Sequence, residues 1–366
     1  MEKSKIKKVI IIIVVVLIVA VIIGGISFFA WYKSNLKAIS PNEQDGIVRV
    51  VIPEGTGVSG IANILFEEGI IKNVTAMKIY AKVNGISNLQ AGKYDLNRAE
   101  DIPTILAHIQ NGEVANDEVK ITFIEGKNMR WIAKQIADKT VNTEEDVFNL
   151  LKDEEYIDSL IEKYWFLTEE IKDDRIYYPL EGYLLPDTYI LENEEVDVKT
   201  IFNIILNYMD KALTDLKEEI DSKTYTVHQM LTLASMAELE GKSDEDRAEI
   251  VGVFFNRLNQ KMSLGSDVTT YYAFGVDMGE RDLTRQELNT YNAYNTRGPD
   301  MEGKIPIGPI CNPSLSAIKA ALNPIQTDNL YFVADKNGDI YFSKTNEEHN
   351  ETIQRLKNEG LWYVYE

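Results

Sequence analysis

The chain has 366 residues, 58 acidic against 38 basic, for a formal net charge of −20. So acidic a chain, without a basic aromatic-rich patch, is a poor partner for nucleic acid. A single cysteine, Cys311, excludes an intrachain disulfide, and the three scattered histidines, His108, His228 and His349, offer no HExxH or CxxC zinc spacing. No GxSxG elbow, Walker loop or dinucleotide glycine loop is present either, so neither a metal nor a cofactor is expected.

Residues 1–8 carry Lys3, Lys5, Lys7 and Lys8, and Val9 to Tyr32 then runs without a charge. A span needs about 20 apolar residues, so residues 9–32 are expected to form a transmembrane helix. Trp31 and Tyr32 stand at its far end, as interfacial aromatics do. The run exceeds the core of a signal peptide and no small-x-small cleavage site follows, so an uncleaved single-pass anchor in the cell membrane is expected. The lysines put the N-terminus in the cytoplasm and the rest of the chain outside.

Residues 33–45 read as a polar linker. Ile47 to Ile52 predicts a strand ending at Pro53-Glu54-Gly55, followed by helices over 58–68 and 74–83, a turn into a strand near Tyr94, and a helix over 102–110. This small α+β module occupies residues 46–116. The strand–Glu-Gly–helix pattern returns at VKITFIEGKNMRWIAKQIAD from Val119, within a larger α+β domain over 117–366 whose core is 178–366. Acidic helices fill 143–173. LEGYLLPDTY, Leu180 to Tyr189, interrupts them, because proline and glycine break helices.

A helix over 198–216 leads to VHQMLTLASMAELEGKSDEDRAEIVGVFFNRL from Val227. Val227, Leu231 and Ala234 form a stripe that Glu238 continues. A carboxylate there is costly to bury unless it is paired, protonated or used. It is a candidate general acid, and equally a structural partner for Arg247 or Arg257. Glu240 lies about 200° around the helix and cannot share a site with Glu238. Ser243, with Asp246 three residues on, predicts a capping box opening a helix over 244–259. Gly265 to Thr270 reads as a polar turn, 306–313 as a rigid loop and 314–322 as a helix. Asn337-Gly338 closes a hairpin between 330–334 and 340–343.

Several stretches in this order resemble the endolytic murein transglycosylase, or YceG-like, family: LEGYLLPDTY, LASMAELEGKSDEDRAEIVGVFFNRL, AYNT at Ala293 to Thr296, IGPICNPS at Ile307 to Ser314, YFVAD at Tyr331 to Asp335, and EHN at Glu348 to Asn350. The resemblance covers most of the chain and implies that residues 46–116 are a LysM-like module and that the family's essential glutamate falls on Glu238. It implies cleavage of bonds between N-acetylmuramic acid and N-acetylglucosamine in nascent peptidoglycan, with a 1,6-anhydro product that terminates strand elongation. Penicillin-binding proteins and glycan polymerases are the implied partners.

In such a reaction the C6 hydroxyl of the sugar replaces water, so one carboxyl serves where ordinary glycosidases need two. Ser266, Asp267, Thr269, Tyr294, Asn295 and Thr296 are expected to hydrogen-bond the glycan. Glu181, Tyr183 and Asp187 are expected to brace the domain, and Cys311 to fill the core. Departures from the family pattern fall at Gly265 and Val268, where glutamine and proline are usual, at Arg297, where an aromatic is usual, and at Pro306-Ile307, where two prolines are usual. A peptidoglycan-binding scaffold with weak catalysis is the alternative from another class. A hydrolase using Asp267 as second carboxylate is a third reading, told apart by its reducing-end product.

Overall fold

The computed structural model describes residues 2–40 and 46–362. The linker residues Pro41 to Asp45 lie outside them. The chain divides into two compact units, 1–116 and 117–366.

In the first unit α1 (Glu2–Leu36) is one continuous helix, whose stretch from Lys7 to Leu36 is long and apolar enough to cross a membrane. It continues four residues beyond the expected end of the span. Leu36 at its tip is buried in the core of this unit, with Tyr32 packed against it. There follow β1 (Ile47–Ile52), α2 (Val58–Glu67), α3 (Val74–Val83), β2 (Gly92–Asn97) and α4 (Ile102–Asn111). β1 and β2 pair antiparallel, with Val50 opposite Tyr94 and both side chains buried. The apolar stripes of α2 and α4 (Ile61 and Leu65; Ile105, Leu106 and Ile109) close on that sheet, the burial that makes short helices stable.

The second unit contains β3 (Val119–Thr122), α5 (Met129–Lys139), α6 (Glu144–Leu151), α7 (Glu154–Lys163), β4 (Thr188–Leu191), α8 (Val198–Thr214), α9 (Lys217–Asp221), α10 (Val227–Glu240), α11 (Asp244–Asn259), α12 (Asp267–Ala273), α13 (Arg285–Leu288), α14 (Leu315–Leu322), β5 (Tyr331–Ala334), β6 (Ile340–Ser343) and α15 (Asn346–Asn358). β3 pairs with β4 and β5 with β6, both antiparallel. The fold is thus α+β in both units, with sheets of only two strands among the described residues.

α10 is the central helix of this unit. Every residue from His228 to Ala237 is buried except Gln229, so it is apolar all round, as a fully enclosed helix must be. α10 packs against α11 and α14. Its N-terminus is closed by a Thr226–Gln229 capping box and that of α11 by the Ser243–Asp246 box. Between them Gly241 allows a very close approach, because a Cβ there would meet the Arg247 backbone nitrogen at 2.9 Å.

One local expectation is corrected. The segment read as a polar turn at 265–270 is a turn only through Ser266. Asp267 to Ala273 is helical, and Val268 to Ala273 are all buried. The run VTTYYA is rich in β-branched and aromatic residues, and burial overrides its weak helical propensity.

Candidate active site

The signature stretches meet around α10. Asn312 accepts hydrogen bonds from the Gly182 and Leu184 backbone N–H groups at 2.9 and 3.0 Å, and donates to Glu181 and to the Lys127 carbonyl. Gly182 has φ +84°, and a Cβ there would meet Pro309 at 2.3 Å, so the LEGY and GPICNP stretches interlock only through glycine. Glu181 is fully buried. Both its oxygens lie 3.0 Å from the Met129 N–H, and Tyr272 and Asn312 donate to it. Burial pushes its carboxyl up to about 7. The Tyr183 hydroxyl meets His228 at 2.8 Å. Cys311 is buried, and its thiol donates to the Ser235 carbonyl.

The two glutamates at the end of α10 face apart. Glu238 turns toward α11 and α14. Arg247 donates to it at 2.9 Å, and Ser314 donates to it from both its N–H (2.9 Å) and its hydroxyl (2.5 Å). Its side chain is only 5% exposed and that of Arg247 is 15% exposed, so this is an enclosed ion pair. Ser314 is also the N-cap of α14, so the carboxylate of Glu238 ties three helices together.

Glu240 turns toward the 263–297 segment. The Ser266 hydroxyl donates to it at 2.6 Å, and Asp267, Arg297 and Arg257 lie near enough to bear on its charge. The residue is partly exposed, but its carboxyl is packed among protein atoms, and desolvation raises it to about 7. The hydrogen bond from Ser266 works in the opposite direction but does not prevail.

The expected glycan ligands therefore gather around Glu240 and not around Glu238. Ser266 adjoins Glu240 directly, and Asp267 is half-exposed and paired with Arg297. Arg297, at a position where the family usually has an aromatic, thus closes a link across the site. Ser266 is itself buried, as are the other four. Thr269 and Thr296 are fully buried and hydrogen-bond each other at 2.8 Å, and Thr296 also accepts from the Ser266 N–H. Asn295 is fully buried and holds the loop by donating to the carbonyls of Glu287 and Thr290 while accepting from Thr270. Tyr294 is fully buried between Tyr177 and Tyr272, at ring distances of 4.8 and 4.9 Å. Thr269 and Thr296 thereby hold Ser266 in place.

Glu240 is the functional candidate that sequence reasoning passed over. Its signal was available in the two-residue spacing, which sends the two carboxylates to opposite sides. Only the long-range packing of α12 and the 294–297 loop determines what each carboxylate faces. Arg257 is held by the carbonyls of Leu330, Ser263 and Leu264, and sits 5.1 Å over the Tyr331 ring, on whose plane His349 stacks. The YFVAD and EHN stretches are thereby brought to the same side as Glu240.

A groove of about 580 Å³ has Leu239 and Val268, the chain neighbours of Glu240 and Asp267, in its walls, though neither glutamate lines it. A larger cavity of about 600 Å³, lined by Tyr225, His228 and Phe255, includes neither glutamate. A desolvated carboxyl whose pKa lies near 7 is able to exchange a proton at neutral pH.

The YceG-like family matches residues 50–355. An endolytic murein transglycosylase of Bacillus subtilis (strain 168) is 34% identical over 342 residues, 92% of this chain and 92% of that protein. An endolytic murein transglycosylase of Streptococcus pneumoniae serotype 2 (strain D39 / NCTC 7466) is 32% identical over 356 residues, 92% of this chain, which spans 63% of that longer protein. A crystal structure of a yceG-like protein from Listeria monocytogenes superposes with a TM-score of 0.60 at 34% identity, covering 84% of this chain and 99% of the other. With sequence matches over nearly its whole length and a matching fold, the chain belongs to the YceG-like family.

Proposed function

We propose that this chain is a membrane-anchored endolytic murein transglycosylase whose general acid is Glu240. The activity rests on the family and on the names of its relatives. The assignment of the acid rests on one observation: the Glu240 carboxyl, raised by desolvation to about 7, faces the Ser266 hydroxyl beside the half-exposed Asp267–Arg297 pair. Glu238 is committed to Arg247 and Ser314.

At neutral pH a large share of Glu240 is protonated and can donate to the glycosidic oxygen as the bond to C1 breaks. The carboxylate so formed then takes the proton of the C6 hydroxyl as that oxygen closes on C1, giving the anhydro ring and restoring the acid. Ser266 orients the carboxyl throughout. The proton budget closes on one residue, with no water consumed.

α1 supports a single-pass anchor, with the lysine-bearing end in the cytoplasm and the catalytic unit outside, where new strands emerge. That location favours work beside glycan polymerases and penicillin-binding proteins. The β–α–α–β order of residues 47–97 supports the LysM-like reading of the first unit.

A hydrolytic second reading draws on Asp267, a half-exposed carboxylate close to Glu240. Its pairing with Arg297 argues for a positioning role. The test is digestion of uncrosslinked glycan strands by the detergent-solubilised chain, with products read by mass spectrometry. Shortened strands with anhydro ends, lost in Glu240→Gln, support the proposal. Reducing ends would transfer the chain to the hydrolases, and uncut strands to the scaffold reading.

A further inference from the structure

The groove lined by Leu239 and Val268 carries charge of the sign this chain otherwise avoids. One wall is the start of α5, with Arg130, Trp131 and Lys134 in its first turns and Lys127 just ahead of its N-cap Asn128. The facing wall is α12 and the turn after it, with Tyr271 and Asp277. Three cations on one wall are notable in a chain of net charge −20. The neutral sugar rings of a glycan do not call for them.

Their state of pairing is informative. Arg130 reaches the facing turn and meets Asp277 at 3.3 Å, with side chains 36% and 81% exposed. Gly275, at φ +67°, makes room for it, because a Cβ there would stand 2.9 Å from the guanidinium. So exposed a pair contributes little, on the order of 0–1 kcal/mol, and exchanges readily for another carboxylate. Lys134 pairs within its own helix with Asp138, and Glu144 marks the far rim. The ammonium of Lys127 has no carboxylate partner among the described residues, and Lys127 follows Gly126, which packs on Leu239.

We infer that this groove seats the carboxylate-bearing peptide branch of the glycan strand, with Lys127 and Arg130 as specificity-determining residues. The inference deepens the transglycosylase reading and rests on it. A peptide stem matches both features of the groove. Its carboxylates exchange with Asp277 on Arg130 and meet Lys127, and its small apolar side chains lie against Trp131 and Tyr271. Leu239 and Val268, which line the groove, are the chain neighbours of Glu240 and Asp267, so a stem bound there keeps its parent sugar within reach of that end of α10. The enzyme then prefers stem-bearing to stripped strands.

The test compares kcat/KM of the full-length protein on uncrosslinked strands with intact stems and on the same strands stripped by an amidase. The expected ratio is about tenfold, the effect of one charge-assisted contact. Lys127→Gln with Arg130→Gln brings the ratio toward one by raising KM for stem-bearing strands while kcat holds. Asp277→Asn releases Arg130 and raises the ratio, and added salt lowers it. A wild-type ratio near one, or a ratio indifferent to all three substitutions, overturns the inference and leaves the transglycosylase standing. A preference for stripped strands, whose lactyl carboxylates are free, also overturns it. If neither strand is cut, the reading of the activity fails instead. Calorimetric binding of both strands to Glu240→Gln then decides the groove, equal affinities refuting it.

Discussion

Glu238 and Glu240 stand about 200° apart around α10, and each takes its character from what it faces. Glu238 meets the Arg247 guanidinium and the Ser314 cap of α14. Glu240 meets a hydroxyl in a desolvated corner, where the neutral form is favoured. Glu240→Gln is expected to keep the fold and lose at least about a thousandfold in turnover, the scale of losing an essential proton donor. Glu238→Ala is expected to cost about 3 kcal/mol of stability, because enclosed Arg247 is left with only the exposed Asp244 as an acidic partner. Its folded fraction still cuts glycan. Thermal melts and turnover measured on both variants check this, and a stable, inactive Glu238 variant would reverse the assignment. Turnover needs the protonated acid, so kcat/KM falls as pH rises through about 7. The Ser266 hydrogen bond favours the charged form. Ser266→Ala should therefore move that alkaline limb to higher pH, and an unmoved limb would separate it from Glu240.

At the scale of elements, what could be read was local. The β1 strand, the stripes of α2 to α4, the Ser243–Asp246 box and the Asn337-Gly338 hairpin all declare themselves in a few consecutive residues, and all are present. α12 did not, because seven residues rich in β-branched and aromatic side chains carry no helical period, and its burial comes from distant segments. The site was legible in part for the same reason. The opposed faces of the two glutamates follow from a count along one helix. The meeting of Glu240 with Ser266 and Arg297 depends on contacts across more than twenty residues. Such contacts also fix where glycine is required. A Cβ at Gly252 of α11 would stand 2.3 Å from the Ile325 carbonyl oxygen, although its backbone conformation is ordinary. Gly252→Ala should cost about 1–3 kcal/mol through this overpacking, seen as a lower urea midpoint with unchanged m-value. An unchanged midpoint would show that the 325 segment yields.

Over the whole molecule, charge and burial pull against each other. The net charge of −20 keeps the exposed surface soluble, while α1 offers an apolar stretch that water cannot accommodate. Inside the second unit two carboxyls, Glu181 and Glu240, are each raised to about 7 from an ordinary 4.5. Below about pH 4.5 both are neutral whether the chain is folded or not, and their full contribution to stability is present. Between 4.5 and 7 the unfolded chain releases these protons while the native state keeps them, so stability falls as pH rises. Above about 7 the native carboxyls ionise too and the loss is complete. The displacement amounts to about 3 kcal/mol for a fully buried group such as Glu181. Calorimetry of the second unit's transition should therefore show a lower melting temperature at pH 8 than at pH 5. Glu181→Gln, which cannot titrate, should flatten that slope. Equal slopes in wild type and variant would mean that the hydrogen bonds from Met129, Tyr272 and Asn312 hold Glu181 ionised throughout. The buried hub that joins Met129, Tyr272 and Asn312 would then be a charged one.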